Sequence, residues 1–403
     1  MIDNIRYNEG QQQAIEKALK WYYLYSYKKR YFILGGLAGT GKSTVISAIV
    51  SRLNLPKYYK VIYATFTAKA SLVLRKQGLD SNTIHSTFYY VRKDKRSGRT
   101  FFTKRANLDE SIKLIVVDEA AMVSDRLIED ILSFGVPTIL SGDPSQLGPI
   151  MAKNTYMFDY NKTDALLTEI MRQKDESGIL YLATKARTGE GINYGNYNES
   201  KVTKLYMLHD RLLEFDAILT WKNSTRRALN DFIRTHLLKR KTHLPIKGDK
   251  VLCLNNNYNY SIEYDKIGLY LINGLVGIVN EDFEDSVYDG QKCMKGIFYP
   301  DFLDDNNKFE VYCYKEIFEN YRQKLFNGTF EREKRITEEE DEDQQDLMTL
   351  IDYGYALTVH KAQGSGFDNV LVVDEYRGGY EFRKKWLYTA ITRAKKSVTI
   401  ATP

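Results

Sequence analysis

Cysteine is scarce: Cys253, Cys293 and Cys313 are all there is in a chain of 403 residues. An odd number, scattered and without metal-ligand spacing, excludes a disulfide framework and a zinc site and predicts reduced thiols. No apolar run approaches the roughly 20 residues that cross a membrane, and the opening MIDNIRYNEG has no apolar signal core. The expectation is a soluble, cytoplasmic protein with no membrane partner. Strong charge of one sign is also missing: a net +6 permits a polyanionic partner without demanding one. No internal repeat occurs, and no stretch rich in Pro, Gly or Ser marks a linker.

What is present is enough apolar material, 43% of residues, for sizeable cores, over a length that suits two or three domains. Short apolar runs ending in small or polar residues read as buried parallel strands: YFILG from Tyr31, KVIYAT from Lys60, KLIVVDEA from Lys113 and VPTILSGD from Val136. Helical patterns follow the first three. A second set starts at Phe215, Tyr355, Asn369 and Ser397, so the fold class is α/β, with two parallel-sheet lobes carrying loops at their carboxyl edges. The second lobe is interrupted by a β-rich insertion with a turn at Asn273-Gly274 and an acidic run from Glu338 to Asp343, the latter read as a solvated segment. A smaller insertion, Tyr89 to Arg105, reads as a hairpin turning at Ser97-Gly98. It holds seven basic residues against Asp94, with Phe101 and Phe102 beside them, which suits either a solvated hairpin or a nucleic-acid contact. Tyrosine is over-used, at 31 residues; biased composition and base-stacking surfaces both remain open.

The segment GLAGTGKST, Gly36 to Thr44, satisfies G-x-x-x-x-G-K-[ST] between a strand and a helix. Gly36, Gly39, Thr40 and Gly41 curl backbone N–H groups toward phosphates. Lys42 reaches the β and γ phosphates, Ser43 holds Mg²⁺, and Thr44 continues the helix N-terminus. Asp118 and Glu119 close a buried strand. Asp118 suits the metal's outer ligand and Glu119 the group that orients or deprotonates the attacking water. Gln146, in GDPSQLGPI, is placed to touch the γ-phosphate or that water. ATP and Mg²⁺ are therefore the expected substrate and cofactor.

Hydrolysis of this kind uses positive charge that arrives on closure, worth about three to five powers of ten in rate. Arg172 in LTEIMRQ and Arg393 in LYTAITRAK are the candidates. The loop LTVHKAQGSGFD, Leu357 to Asp368, ends a strand of the second lobe. Gly364 and Ser365 permit close approach to a phosphate, while Thr358, His360 and Lys361 suit a nucleic-acid backbone.

Taken together these segments resemble the motifs of superfamily 1 DNA helicases, and within them the RecD-like, 1B branch, over nearly the whole chain. YNEGQQQAI from Tyr7 is similar to the Q motif, which makes Gln11 the implied adenine reader. TFTAKAS from Thr65 and TIHS from Thr83 resemble motifs Ia and Ib, with DNA contacts implied at Thr65, Phe66, Thr67 and His85. Phe66 stands where the family commonly has Pro. DEAAMVS, GDPSQLGPI, TEIMRQ, VHKAQGSGFD and YTAITRAK are similar to motifs II to VI in order. TWKNSTRRALN from Thr220, GDKVLCLNNNY from Gly248 and LINGLVG from Leu271 match further RecD-like blocks, with Trp221 and Asn223 implied at the DNA.

The resemblance implies two RecA-like lobes, 1A (residues 1–88 and 109–152) and 2A (153–247 and 351–403). It also implies a strand-separating pin, 1B (89–108), and an SH3-like domain, 2B (248–350). It implies ATP-driven 5′-to-3′ translocation on single-stranded DNA and unwinding at single-strand/duplex junctions, in replication, recombination or repair. The implied protein is a monomer of a phage or bacterial cytosol, with a single-strand-binding protein among its partners and no added nuclease domain. Two rivals stay open: a translocase or protein-displacing motor with little unwinding, and a nucleotide-controlled DNA-binding switch. Polarity itself does not follow from any spacing.

Overall fold

In the computed structural model the described residues are 6–93, 100–149, 153, 155–156, 160–170, 177–264, 267–288, 290–303, 306–318 and 348–403. The strand Tyr31–Gly36 is buried almost throughout because its run of apolar residues is covered on both faces. It lies inside a six-stranded sheet ordered Ser81–Thr83, Lys60–Thr65, Ile112–Asp118, Thr138–Gly142, Tyr31–Gly36, Ala165–Leu167, with every neighbouring pair parallel. The helix Lys42–Leu53 buries Val45, Ile46, Ile49 and Leu53, spaced to form one face, against this sheet. The helix Glu9–Leu24 joins the same core, its start fixed by a reciprocal capping box between Asn8 and Gln11. On the sheet's other side Ile84, Phe88 and Ile128 form a second core.

The second lobe is a sheet ordered Ala356–Thr358, Ala217–Thr220, Phe367–Val373, Ala394–Thr402, Ser200–Lys204, Gly195–Tyr197, parallel except for the last pair. Its core is continuous with that of the insertion and takes in Leu147 from the first lobe. The two parallel-sheet lobes are thus as the sequence predicts.

The insertion is a five-stranded antiparallel sheet, ordered Phe309–Cys313, Gln291–Pro300, Val276–Tyr288, Lys250–Cys253, Ile351–Tyr353, beside a ribbon of Asn257–Tyr264 and Ile267–Leu271. A turn occupies Asn273 and Gly274, as expected. Residues 338–343, the acidic run, lie outside the described residues, as does the expected Ser97-Gly98 turn. The hairpin strands Tyr89–Lys93 and Thr100–Lys104 pair antiparallel, with Val91 opposite Phe102.

Two expected boundaries differ from the hydrogen-bonding. Ala165–Leu167, assigned from sequence to the second lobe, is an edge strand of the first sheet; the preceding Asp164 accepts from the Ile33 N–H at 2.8 Å and pairs with Lys29 at 2.6 Å. Ile351–Tyr353 likewise pairs with Lys250–Cys253 in the insertion's sheet. Strands of three residues are too short to carry a readable period. The three cysteines are buried and free, and no helix among the described residues is long and apolar enough to cross a membrane.

Candidate nucleotide site and nucleic-acid cleft

The first sheet delivers its loop 36–43 at the carboxyl edge. A Cβ at Gly36 would lie 2.8 Å from both Lys42 Cγ and Thr40 Oγ1, so only glycine lets the loop fold back on itself. Lys42 Nζ donates to the Gly36 and Leu37 carbonyls at 2.8 and 3.3 Å. Ser43 and Thr44 fall in the first turn of the helix, Ser43 exposed, while Thr40 is buried with its hydroxyl on the Leu37 carbonyl. Gln11 is buried: its Nε2 donates to the Thr40 carbonyl at 3.0 Å and its Oε1 accepts from Asn8 N–H at 3.2 Å. Each end of a carboxamide can make one bond more, so Gln11 ties its helix to the loop and retains capacity for a base.

Asp118 ends its strand and accepts from Ser141 Oγ at 3.1 Å. Burial raises its carboxyl pKa, the Glu119 charge adds to this, and Lys42 opposes both. Glu119 sits in the left-handed region at φ 53°, ψ 38°, a conformation that costs a non-glycine residue on the order of 1 kcal/mol and that clusters at functional sites. Asp143, fully buried, is also raised by burial and lowered by Lys42. Lys42, Asp118, Glu119 and Asp143 therefore share one electrostatic neighbourhood. Gln146 follows on the same loop, buried, with its Oε1 lacking a hydrogen-bond partner among the described residues.

No cluster of three or more metal-ligating side chains occurs among the described residues. Mg²⁺ takes one or two protein oxygens and completes its shell from water and phosphate. An exposed serine hydroxyl and a carboxylate crowded by Glu119 are donors of the right hardness.

Opposite stands the loop 359–366. Gly364, at φ 69°, would put a Cβ 3.1 Å from the Thr67 side chain, so the two lobes touch here through a glycine. Gln363 Nε2 donates to the Leu147 carbonyl of the first lobe at 2.7 Å. Arg393 is buried and its guanidinium donates to the Thr389 carbonyl at 3.2 Å and the Ser365 carbonyl at 3.4 Å, which holds it against the same loop. Arg172 lies outside the described residues.

On the far side of this loop is a cleft of about 280 Å³ whose walls include Phe66, Thr67, His85, His360 and Lys361, five of the residues read from sequence. Lys361 Nζ donates to Asn273 Oδ1 at 2.8 Å. Burial lowers the pKa of both histidines to about 4, helped at His360 by the Lys361 charge. Thr65 is a correction: it is fully buried, its hydroxyl shared with Ser71 Oγ at 2.6 Å and the Thr67 carbonyl at 2.9 Å. It shapes the turn that presents Phe66 and Thr67 and cannot itself reach a polymer. Thr358 is also buried, at the strand end. Trp221 packs edge-on against Tyr376 and Phe382, beside His360 at 5.6 Å, and Asn223 Oδ1 accepts from Arg226 Nε at 3.2 Å; neither residue is in the cleft wall.

Sequence reasoning missed the cleft's third wall, which the insertion supplies through Asn256, Tyr258, Tyr270 and Asn273. Phe102 of the hairpin meets Tyr258 edge-on at 4.3 Å and His85 at 5.0 Å. Phe101 is the next residue along the strand and so projects from the opposite face. Also missed were Asp143 and Tyr388, both inside quoted motifs, whose meeting no spacing announces.

Residues 6–211 match the family described as AAA domain, and residues 353–401 match the UvrD-like helicase C-terminal domain. The chain is similar to the RecBCD enzyme subunit RecD of Buchnera aphidicola subsp. Schizaphis graminum, 26% identical over 92% of this chain and 69% of that one. The ATP-dependent DNA helicase dda of Enterobacteria phage T4 is 28% identical over 45% of this chain and 43% of its own. An uncharacterised protein of Methanocaldococcus jannaschii matches 99% of this chain at 23% identity, but the chain spans only 38% of that relative's length. Among solved structures, the Pif1 helicase from Candida albicans aligns with a TM-score of 0.49 at 16% identity, over 98% of this chain and 94% of that one. With the AAA-domain match over its first half and a UvrD-like helicase C-terminal domain over its last strands, the chain belongs to the family described as AAA domain.

Proposed function

We propose that this protein hydrolyses ATP to move 5′-to-3′ along single-stranded DNA and to unwind duplex at junctions. What carries this reading is the single loop 359–366. Its His360 and Lys361 line the cleft, while its Gly364 abuts Thr67 and its Gln363 and Ser365 hold Leu147 and Arg393. A change in lobe separation at the nucleotide therefore reaches the cleft without an intermediary. In this scheme the loop 36–43 cradles the phosphates and Lys42 neutralises them. Glu119 orients or deprotonates the attacking water, and Gln146 and Arg393 respond to the γ-phosphate. Ser43 and Asp118 would hold Mg²⁺, which supplies charge at the phosphates when bound. The DNA backbone follows Thr67, His85, His360 and Lys361, and bases meet the aromatic walls. We further assign the hairpin as the strand-separating pin and the insertion as a domain packed over the DNA. The acting species is a monomer that meets single-strand-binding protein on its track.

The test is ATP-driven unwinding of matched partial duplexes with a 5′ or a 3′ single-stranded tail. Unwinding from the 5′ tail alone is expected. Preference for the 3′ tail overturns the polarity, and ATP turnover on both tails without strand separation makes the protein a translocase.

A further inference from the structure

We propose that Tyr388 is a positioning residue that latches the second lobe onto both halves of the phosphate site; this rests on the ATPase reading above. Tyr388 lies in the helix Tyr380–Ile391 of the second lobe, five residues before Arg393, and is buried. Its hydroxyl donates to Asp143 Oδ2 at 2.5 Å and accepts from the Ala38 N–H at 2.9 Å. One oxygen of the second lobe thus joins the phosphate loop, which contains Ala38, to the loop that carries Gln146. A buried phenol needs partners, and here both partners belong to the other lobe.

The neighbouring contacts give the latch its direction. Leu147 N–H donates to Thr389 Oγ1 at 2.9 Å, and the Leu147 carbonyl accepts from Gln363 at 2.7 Å. The second lobe therefore grips the loop on both sides of Gln146, at Asp143 and at Leu147. Opening the lobes breaks these bonds together, and closing them remakes them, so the bonds favour the closed state. Asp143 also accepts from Ser145 N–H at 2.9 Å, so its carboxylate is already aligned when the phenol arrives. A contact made only in the closed state adds to the affinity of any nucleotide that requires that state.

The test is Tyr388→Phe, which keeps the ring and its packing and removes both bonds. The expected result is a KM for ATP raised about ten-fold in the presence of single-stranded DNA, the lower range for a buried bond to a charged group. The value of kcat should stay within about two-fold, and DNA affinity without nucleotide should match wild type. That split is the signature of lost closure rather than lost chemistry. Wild-type KM and kcat would overturn the latch, as would a fall in kcat with KM unchanged. A parallel loss of nucleotide-free DNA affinity would also overturn it, by reducing Tyr388 to a packing residue. Absence of ATP turnover by the wild-type protein would instead sink the functional reading beneath it.

Discussion

His85 and His360 stand in the cleft walls as neutral imidazoles, because burial holds both near a pKa of about 4 against an ordinary 6.5. An unfolded chain takes up these protons first as pH falls, so stability rises with pH across this window. The contribution is complete above about pH 6.5 and is lost on descending toward pH 4, with an upper bound of about 3 kcal/mol for each residue. Thermal midpoints measured from pH 7.5 to 4.5 should drop for the wild type and drop less for His85→Phe and His360→Phe; parallel curves would refute the assignment. At this scale the shape of the loop 36–43 was legible in the sequence, since its glycines and lysine fall within eight consecutive positions. Thr65 was not, because whether a hydroxyl faces solvent or its own turn depends on Ser71, six residues on.

The hairpin and the insertion meet through Phe102, Tyr258 and His85, so these two elements act as one wall. An aromatic pair of this geometry is worth about 0.5–1.5 kcal/mol beyond its buried area. A double-mutant cycle of Phe102→Leu and Tyr258→Leu, read by urea unfolding, should return a coupling of that size, and additive effects would show that the contact carries nothing. Elements with long apolar runs were readable from sequence, including the four strands that surround the phosphate loop. Three-residue strands were not, and neither was the aromatic contact between residues 102 and 258, since nothing in either segment specifies the other.

As a whole, Lys361 is the one lysine or arginine among the described residues that wall the cleft, so DNA affinity is expected to fall with salt only weakly. A log–log slope of roughly −0.7 for each phosphate neutralised applies to single strands. Titration between low and moderate salt should give a slope corresponding to about one or two phosphates, and a salt-independent affinity would remove the backbone track. The layout of two lobes and two insertions was legible because four strand runs recur twice with β-rich interruptions. How the lobes close was not, since it depends on contacts such as Tyr388 with Asp143, which are 245 positions apart. The chain leaves the second lobe at Lys250–Cys253 and returns at Ile351–Tyr353, adjacent antiparallel strands. Buried Asp249 is paired there with Arg234 at 2.9 Å, and buried Asp352 with Arg226 at 2.9 Å. A single connecting strand would behave as a swivel. Two laced strands pinned at their roots form a torsionally stiff stalk, so any rotation of the second lobe carries the insertion and its aromatic wall with it.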